Sequence, residues 1–137
     1  MTMPEDLLAH NRQLIAQFRA DGGASMKDRP LLLLTTRGRK SGEQRTSPMM
    51  YVDEDGRLLV IASNAGAADH PQWYRNLQAD PSVTVELPGR TFQARAVPLT
   101  GDDYAQAWER IVRQYAFFAE HQAKAGARTI PVVALES

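Results

Sequence analysis

Short β-rich runs separated by tight turn signals fill the middle and end of the chain, and they constrain the fold more than any other feature. Residues 31–36, 45–52, 58–62, 83–87, 92–97 and 130–135 each read as a strand. Between them stand a Gly-rich cationic turn at 38–42, the hairpin signal Glu54-Asp55-Gly56 and the pair Pro88-Gly89. Connections this short join antiparallel neighbours, because a parallel pair needs a long crossover. The expected sheet is therefore mostly antiparallel and curls into a barrel with helices outside it, an α+β arrangement.

Three segments carry helical spacing instead. Over about 4–20, Leu7, Asn11, Leu14 and Phe18 step by four and three, with Leu8 and Ile15 beside them. Thr2 is a candidate cap, Pro4 suits a first turn, and Gly22 and Gly23 end the run before a break at Asp28-Arg29-Pro30. That helix either packs on the core or serves as a flap. Residues 71–79 suit a short helix with Asp69 as candidate cap. Residues 102–123 read as one long helix, with Tyr104, Trp108, Ile111, Val112 and Tyr115 at helical spacing. With 137 residues, no repeat and no linker, 1–137 is expected to be one domain.

Composition then narrows the chemistry. The absence of cysteine removes disulfides, thiolate nucleophiles and Cys-ligated metals, and it fits a cytoplasmic location. Sixteen Lys and Arg balance sixteen Asp and Glu, which speaks against nucleic-acid binding by bulk charge. No apolar run approaches the roughly 18–20 residues of a spanning helix, so no integral membrane segment is expected; peripheral contact through the N-terminal segment stays open. His10, His70 and His121 lack metal-ligand spacing, Ser63 lacks a nucleophile elbow, and no dinucleotide fingerprint is present.

Three constellations remain. Arg37-Gly38-Arg39-Lys40-Ser41-Gly42 followed by Arg45 puts four cations within nine residues on a turn. Glycine lets backbone approach an anion, arginine offers a bidentate fork and Ser41 adds a hydroxyl, which suits a phosphate or carboxylate tail. An ordinary solvated hairpin would read the same way. It is not a Walker loop, since the spacing and the following helix are missing. The second constellation is Ala62-Ser63-Asn64-Ala65-Gly66-Ala67 leading into His70-Pro71-Gln72-Trp73-Tyr74-Arg75-Asn76, where small residues allow a flat ring to lie against backbone. The third is Tyr115, Phe118 and His121, spaced to share a helix face, as core or as pocket wall.

Taken together these runs resemble the deazaflavin-dependent nitroreductase family, within the wider flavin and deazaflavin oxidoreductases. The similarity lies in 33–42 with Arg45-Thr46 and Pro48, in Ala62-Ser63 with Gly66-Ala67, in His70-Pro71 with Trp73-Tyr74 and Asn76-Leu77, in Asp80-Pro81, and in the ending Arg128-Thr129-Ile130-Pro131-Val132-Val133 with Leu135-Glu136. The resemblance implies an FMN-binding type of split β-barrel and coenzyme F420, whose reduced ring delivers hydride to a quinone, a nitroaromatic or a similar electron-poor small molecule. It implies that Arg39, Lys40, Ser41, Gly42, Arg45 and Thr46 hold the phosphate and glutamate tail. Pro48, Met49 and Met50 would wall the ring, and Ala62, Ser63, Asn64, Gly66 and Ala67 would meet its edge, with Trp73 and Asn76 in support. Tyr115 falls on a tyrosine that lines the family's acceptor pocket, with Phe118 and His121 beside it.

Two positions depart from the family. Asn64 stands where a lysine frequently follows the serine, and Phe118 and His121 stand where two further tyrosines are expected. In the enzymatic reading Ser63 meets developing charge and Tyr115 or His121 relays a proton. FMN on the same barrel, and a non-catalytic F420 carrier, remain as alternatives. A homodimer is left open.

Overall fold

Both compact turn signals close hairpins. At the first, Asp55 (φ 54°) and Gly56 (φ 90°) supply the two left-handed residues of a two-residue turn, and the Gly56 N–H donates to Asp53 Oδ1 at 2.7 Å. The computed structural model describes residues 3–21 and 31–137, with side chains over 11–21, 31–64 and 66–137. In chain order these are helix α1 (Met3–Asp21), strands β1 (Leu31–Arg37), β2 (Gln44–Glu54) and β3 (Arg57–Ile61), a 3-10 turn at Asn64–Gly66, helix α2 (Gln72–Ala79), strands β4 (Ser82–Leu87) and β5 (Arg90–Pro98), helices α3 (Gly101–Gln114) and α4 (Phe117–Ala125), and strand β6 (Val132–Glu136). The expected roles of Thr2, Gly22, Gly23, Asp28, Arg29 and Pro30 lie outside the described residues.

The six strands close into a barrel in the order β1-β2-β3-β6-β5-β4, and every pairing is antiparallel. The sheet closes where Leu33, Leu34 and Thr35 pair with Glu86, Val85 and Thr84. β6 enters between β3 and β5, aligning Val60 with Val133 and Ala96 with Leu135.

Alternation along each strand sorts the apolar residues into two layers. Leu32, Leu34, Leu58, Val60, Val83, Val85, Val133 and Leu135 fill the barrel interior. Leu59, Ile61, Val132 and Ala134 point the other way and pack under Ala107 and Ile111 of α3 and Phe118 and Ala125 of α4. The runs at 58–61 and 132–135 are apolar throughout because both faces of those strands are covered. On the opposite side Leu14, Ile15 and Phe18 of α1 pack on Leu31 and Leu33. Arg19 fastens the helix with a bidentate pair to Glu86 of β4 at 2.8 and 3.1 Å.

Two expectations are corrected. The long helix is broken: Tyr115 leaves the helical region at φ −130°, ψ 84°, its N–H closes α3 on Ile111 O at 2.7 Å, and α4 begins two residues later. The change of axis lets Phe118 turn into the outer core. At α2, Pro71 occupies the cap position with no side-chain cap, and Asp69 instead stands 3.9 Å from Arg75.

Candidate functional site

The cationic turn between β1 and β2 is held by its own backbone. The Gly38 N–H donates to Glu43 O at 2.7 Å and the Gly42 N–H to Gly38 O at 2.8 Å, while Ser41 Oγ accepts from the Glu43 N–H at 3.2 Å. A side chain at position 38 would place its Cβ 2.9 Å from Ser41 Oγ and 3.2 Å from Glu43 O, so Ser41 would have to turn away to admit one. Asn76 of α2, only 4% exposed, locks the turn from below. Its Oδ1 accepts from the Arg39 N–H at 3.2 Å and from Arg39 Nη1 at 3.1 Å, and its Nδ2 donates to Thr36 Oγ1 at 3.4 Å. Gln72 Oε1 accepts from the same Arg39 nitrogen at 2.8 Å. The Arg39 guanidinium is therefore held in one orientation before any ligand arrives.

Above this turn lies a groove of about 620 Å³. Its walls come from the turn itself, the first residues of β2, Gln72, Trp73 and Asn76 of α2, and Asn11, Arg12 and Ile15 of α1. Four cations, Arg12, Arg39, Lys40 and Arg45, line it, and among the described residues no carboxylate does. In a chain of balanced charge this is a strong local segregation, and it raises the local concentration of an anion. The carboxylate of Glu43 approaches Arg45 at 3.3 Å from outside, but both side chains are exposed and such pairs are weak.

Of the residues expected at a cofactor, Arg39, Lys40, Ser41, Arg45, Thr46, Trp73 and Asn76 come together on this groove. Gly42 sits at the back of the turn in a left-handed conformation, φ 74°. Pro48, Met49 and Met50 lie farther along β2, all half-buried, with Met49 packed on the barrel interior. Ala62, Ser63, Asn64, Gly66 and Ala67 form a separate assembly between β3 and α2 and are not part of the groove wall.

That second assembly is organised by residues that sequence reasoning missed. Arg128 donates to the carbonyls of Ala62 (3.0 Å), Ser63 (2.6 Å) and Ala67 (2.9 Å). Gln122 of α4 seats the segment, donating to Arg128 O at 2.7 Å and accepting from the Ile130 N–H at 2.9 Å. Arg128 Nη1 also meets His70 Nδ1 at 3.1 Å, which makes Nδ1 the acceptor and the imidazole neutral. Burial, then the charges of Arg128 and Arg75, push the His70 pKa below its ordinary value against the pull of Asp69. Ring contacts run from His70 to Tyr74 (4.8 Å) and on to Trp73 (6.4 Å), linking this assembly to the groove. Only the position of Arg128 within the family-like ending marked it in the sequence; Arg12, Gln72 and Gln122 carried no signal.

Tyr115, Phe118 and His121 are neighbours despite the helix break. The rings of Tyr115 and Phe118 stand 6.4 Å apart, and those of Phe118 and His121 5.9 Å. Phe118 is 4% exposed and belongs to the outer core, so it supports the other two rings rather than presenting a face of its own. Phe117, which sequence reasoning passed over, is the exposed member, 4.3 Å from Phe118. His121 is half-buried, and its Nδ1 is buried with no hydrogen-bond partner among the described residues. α4 also closes on the loop: a Cβ on Gly66 would stand 2.8 Å from His121 O.

Comparison with known proteins bears on this arrangement. The family description F420H(2)-dependent quinone reductase matches residues 9–137. A Mycobacterium tuberculosis relative, Rv3178, whose name places it in the same family, is 38% identical over 114 residues, covering 83% of this chain and 95% of its own. A solved F420-H2 dependent reductase, FDR-A, is 38% identical and superposes with a TM-score of 0.70 over 79% of this chain and 95% of that one. A further solved chain, described as a domain-swapped dimer, is 35% identical with a TM-score of 0.73, covering 97% of this chain and 99% of that one.

Proposed function

The chain belongs to the F420H(2)-dependent quinone reductase family, and from that premise we propose how its residues serve the F420-dependent reduction of a quinone. The enzyme is an oxidoreductase whose cofactor is coenzyme F420; this family membership replaces the FMN and carrier alternatives. The groove fits the anionic tail, and the observation that carries the reading is its four-cation lining, with no carboxylate among the described residues, built around an Arg39 already oriented by Asn76 and Gln72. Arg39, Lys40 and Arg45 bind the tail by charge-assisted contacts, Ser41 and Thr46 add hydroxyls, and Gly42 shapes the turn. Trp73 and Asn76 carry the groove toward the loop. Pro48, Met49 and Met50 wall the ring, while Ala62, Ser63, Asn64, Gly66 and Ala67 offer their backbone to its edge.

When bound, the reduced cofactor supplies a hydride, and one proton completes reduction of the quinone to the quinol. The chain contributes binding, orientation and exclusion of water. Ser63, 9% exposed, meets developing charge. Tyr115 and His121 stand on the acceptor side with Phe118 behind them, and one of the two relays the proton. A quinone is the physiological acceptor class; nitroaromatics are reduced incidentally by the same electron-poor character.

Two variants test these assignments. Arg39→Ala should raise the dissociation constant for F420 at least several-fold, or about 1–2 kcal/mol for the lost contact. The effect should shrink as salt rises. Unchanged affinity in a fluorescence titration removes the tail from this groove. His121→Phe should change the pH profile of quinone turnover while F420 affinity stays near the parent's; a change in melting temperature alone returns this ring to the core.

A further inference from the structure

The loop between β3 and α2 is gripped by one guanidinium, Arg128, that is bonded to neutral groups and feels the charge of Asp69 only at a distance. Among the described residues no carboxylate lies within ion-pair distance of Arg128; its donors go to three neutral carbonyls and one imidazole nitrogen. The group is half-buried. Desolvating a guanidinium against neutral acceptors is a costly way to stabilise a surface loop, and an apolar side chain would pack there more cheaply. What the fork does uniquely is fix several peptide planes at once. A trans peptide is flat, so holding the Ala62 and Ser63 carbonyls toward Arg128 turns the N–H groups of Ser63 and Asn64 the opposite way. Two other contacts leave the arrangement no slack. Gln122 seats the backbone of residues 128–130 through both ends of its amide. On the α4 side the approach of Gly66 to His121 leaves no room even for a methyl group.

We infer that Arg128 is a positioning residue for the reductase: through three carbonyls it sets the orientation in which the Ala62–Ala67 loop meets the cofactor ring. The inference rests on the proposed reading that this loop faces the ring. Arg128 itself touches neither cofactor nor acceptor; it acts through the backbone. It is remote in sequence from the groove cations, so tail binding and ring orientation are separable.

The test compares Arg128→Lys and Arg128→Ala with the parent. Lysine keeps the charge but cannot hold three carbonyls in one plane. Both variants should bind F420 with nearly the parent's dissociation constant, because the tail groove is untouched. Quinone turnover, kcat, should fall by about ten- to a hundredfold, the scale of a slight misplacement of reacting groups. The absorbance of bound oxidised F420 should move toward that of the free cofactor. Millimolar guanidinium should restore part of the turnover of Arg128→Ala. Should both variants fail to fold, Gln122→Ala leaves the guanidinium in place but unseats it, and a smaller loss of kcat at unchanged affinity is expected. Parent-like kcat and absorbance in any folded variant overturn the inference, as does a loss of turnover that follows melting temperature alone. The two readings fail differently. If Arg39→Ala weakens F420 while the Arg128 variants turn over normally, the positioning role falls alone. If Arg39→Ala also leaves affinity unchanged, the groove assignment falls first.

Discussion

At the scale of single residues, the site is built from exposed cations and the amides that orient them rather than from reactive side chains. Asn76 is the clearest case, since one buried side chain reads both the backbone and the head group of Arg39 and is itself anchored on Thr36. The clustering of cations on one turn was legible from glycine and arginine content alone. The resemblance marked Asn76 as a supporting residue but not that Asn76 and Gln72 orient Arg39, because a glutamine and an asparagine one helical turn apart look like any solvated helix face. The same holds for Arg128, whose role appears only when residues 62–67 are brought beside it. His70 gives this scale its pH dependence. Its pKa in the folded chain is depressed by burial, Arg128 and Arg75. The unfolded chain therefore binds the proton more readily, and the associated stability is present above the unfolded value of about 6.5 and lost as pH falls through the folded value. Thermal melts from about pH 7 to 5 should show a falling melting temperature in the parent and a flatter profile in His70→Gln. Parallel profiles would mean that this imidazole does not report on the loop.

At the scale of elements, the hairpins were readable and their long-range partners were not. Asp55-Gly56 and Pro88-Gly89 fixed their turns through local φ preferences, and the register follows from them. Nothing local announced that β6 enters between β3 and β5, because apolar runs at 58–61 and 132–135 would satisfy several pairings. Nor did the break between α3 and α4 carry a glycine or proline, and the burial of Phe118 beyond it in the outer core is a tertiary feature. The β2–β3 hairpin is tied to α3 by a four-residue ionic network. Glu54 accepts from Arg110 at 2.7 and 3.0 Å and from Arg57 at 3.2 Å, and Arg57 reaches Asp103 at 3.0 and 3.1 Å. The hydrogen bond from Arg110 is the chief cause that holds the Glu54 carboxyl below the ordinary glutamate value. A depressed carboxylate stabilises the fold above its unfolded value of about 4.3, and this contribution is lost as pH falls through the folded value. Glu54→Gln should melt below the parent at pH 7, with the gap closing under about pH 4. A constant gap across that range would show that packing, not charge, is what the variant removes.

At the scale of the whole molecule, balanced charge conceals a division of labour. The barrel interior and the α3–α4 layer are apolar, while α1, the β1–β2 turn and α2 meet around a groove that holds four cations and, among the described residues, no carboxylate. The fold class was legible because short turns force antiparallel neighbours, and the F420 assignment was legible because several weak motifs recur in order along the chain. Among the described residues no helix is long and apolar enough to cross a membrane. The relation between the groove and the loop at 62–67 was not legible, since it depends on contacts through Trp73, Tyr74 and His70 that no spacing reveals. The central proposal is that the groove binds the cofactor by its charged tail. The most direct measurement is a paired fluorescence titration of the parent with F420 and with the same deazaflavin lacking its phosphate and glutamate tail. The expected result is an affinity for F420 at least tenfold higher, about 1.4 kcal/mol, with a gap that narrows as salt rises. Equal affinities for the two compounds at low salt would contradict it.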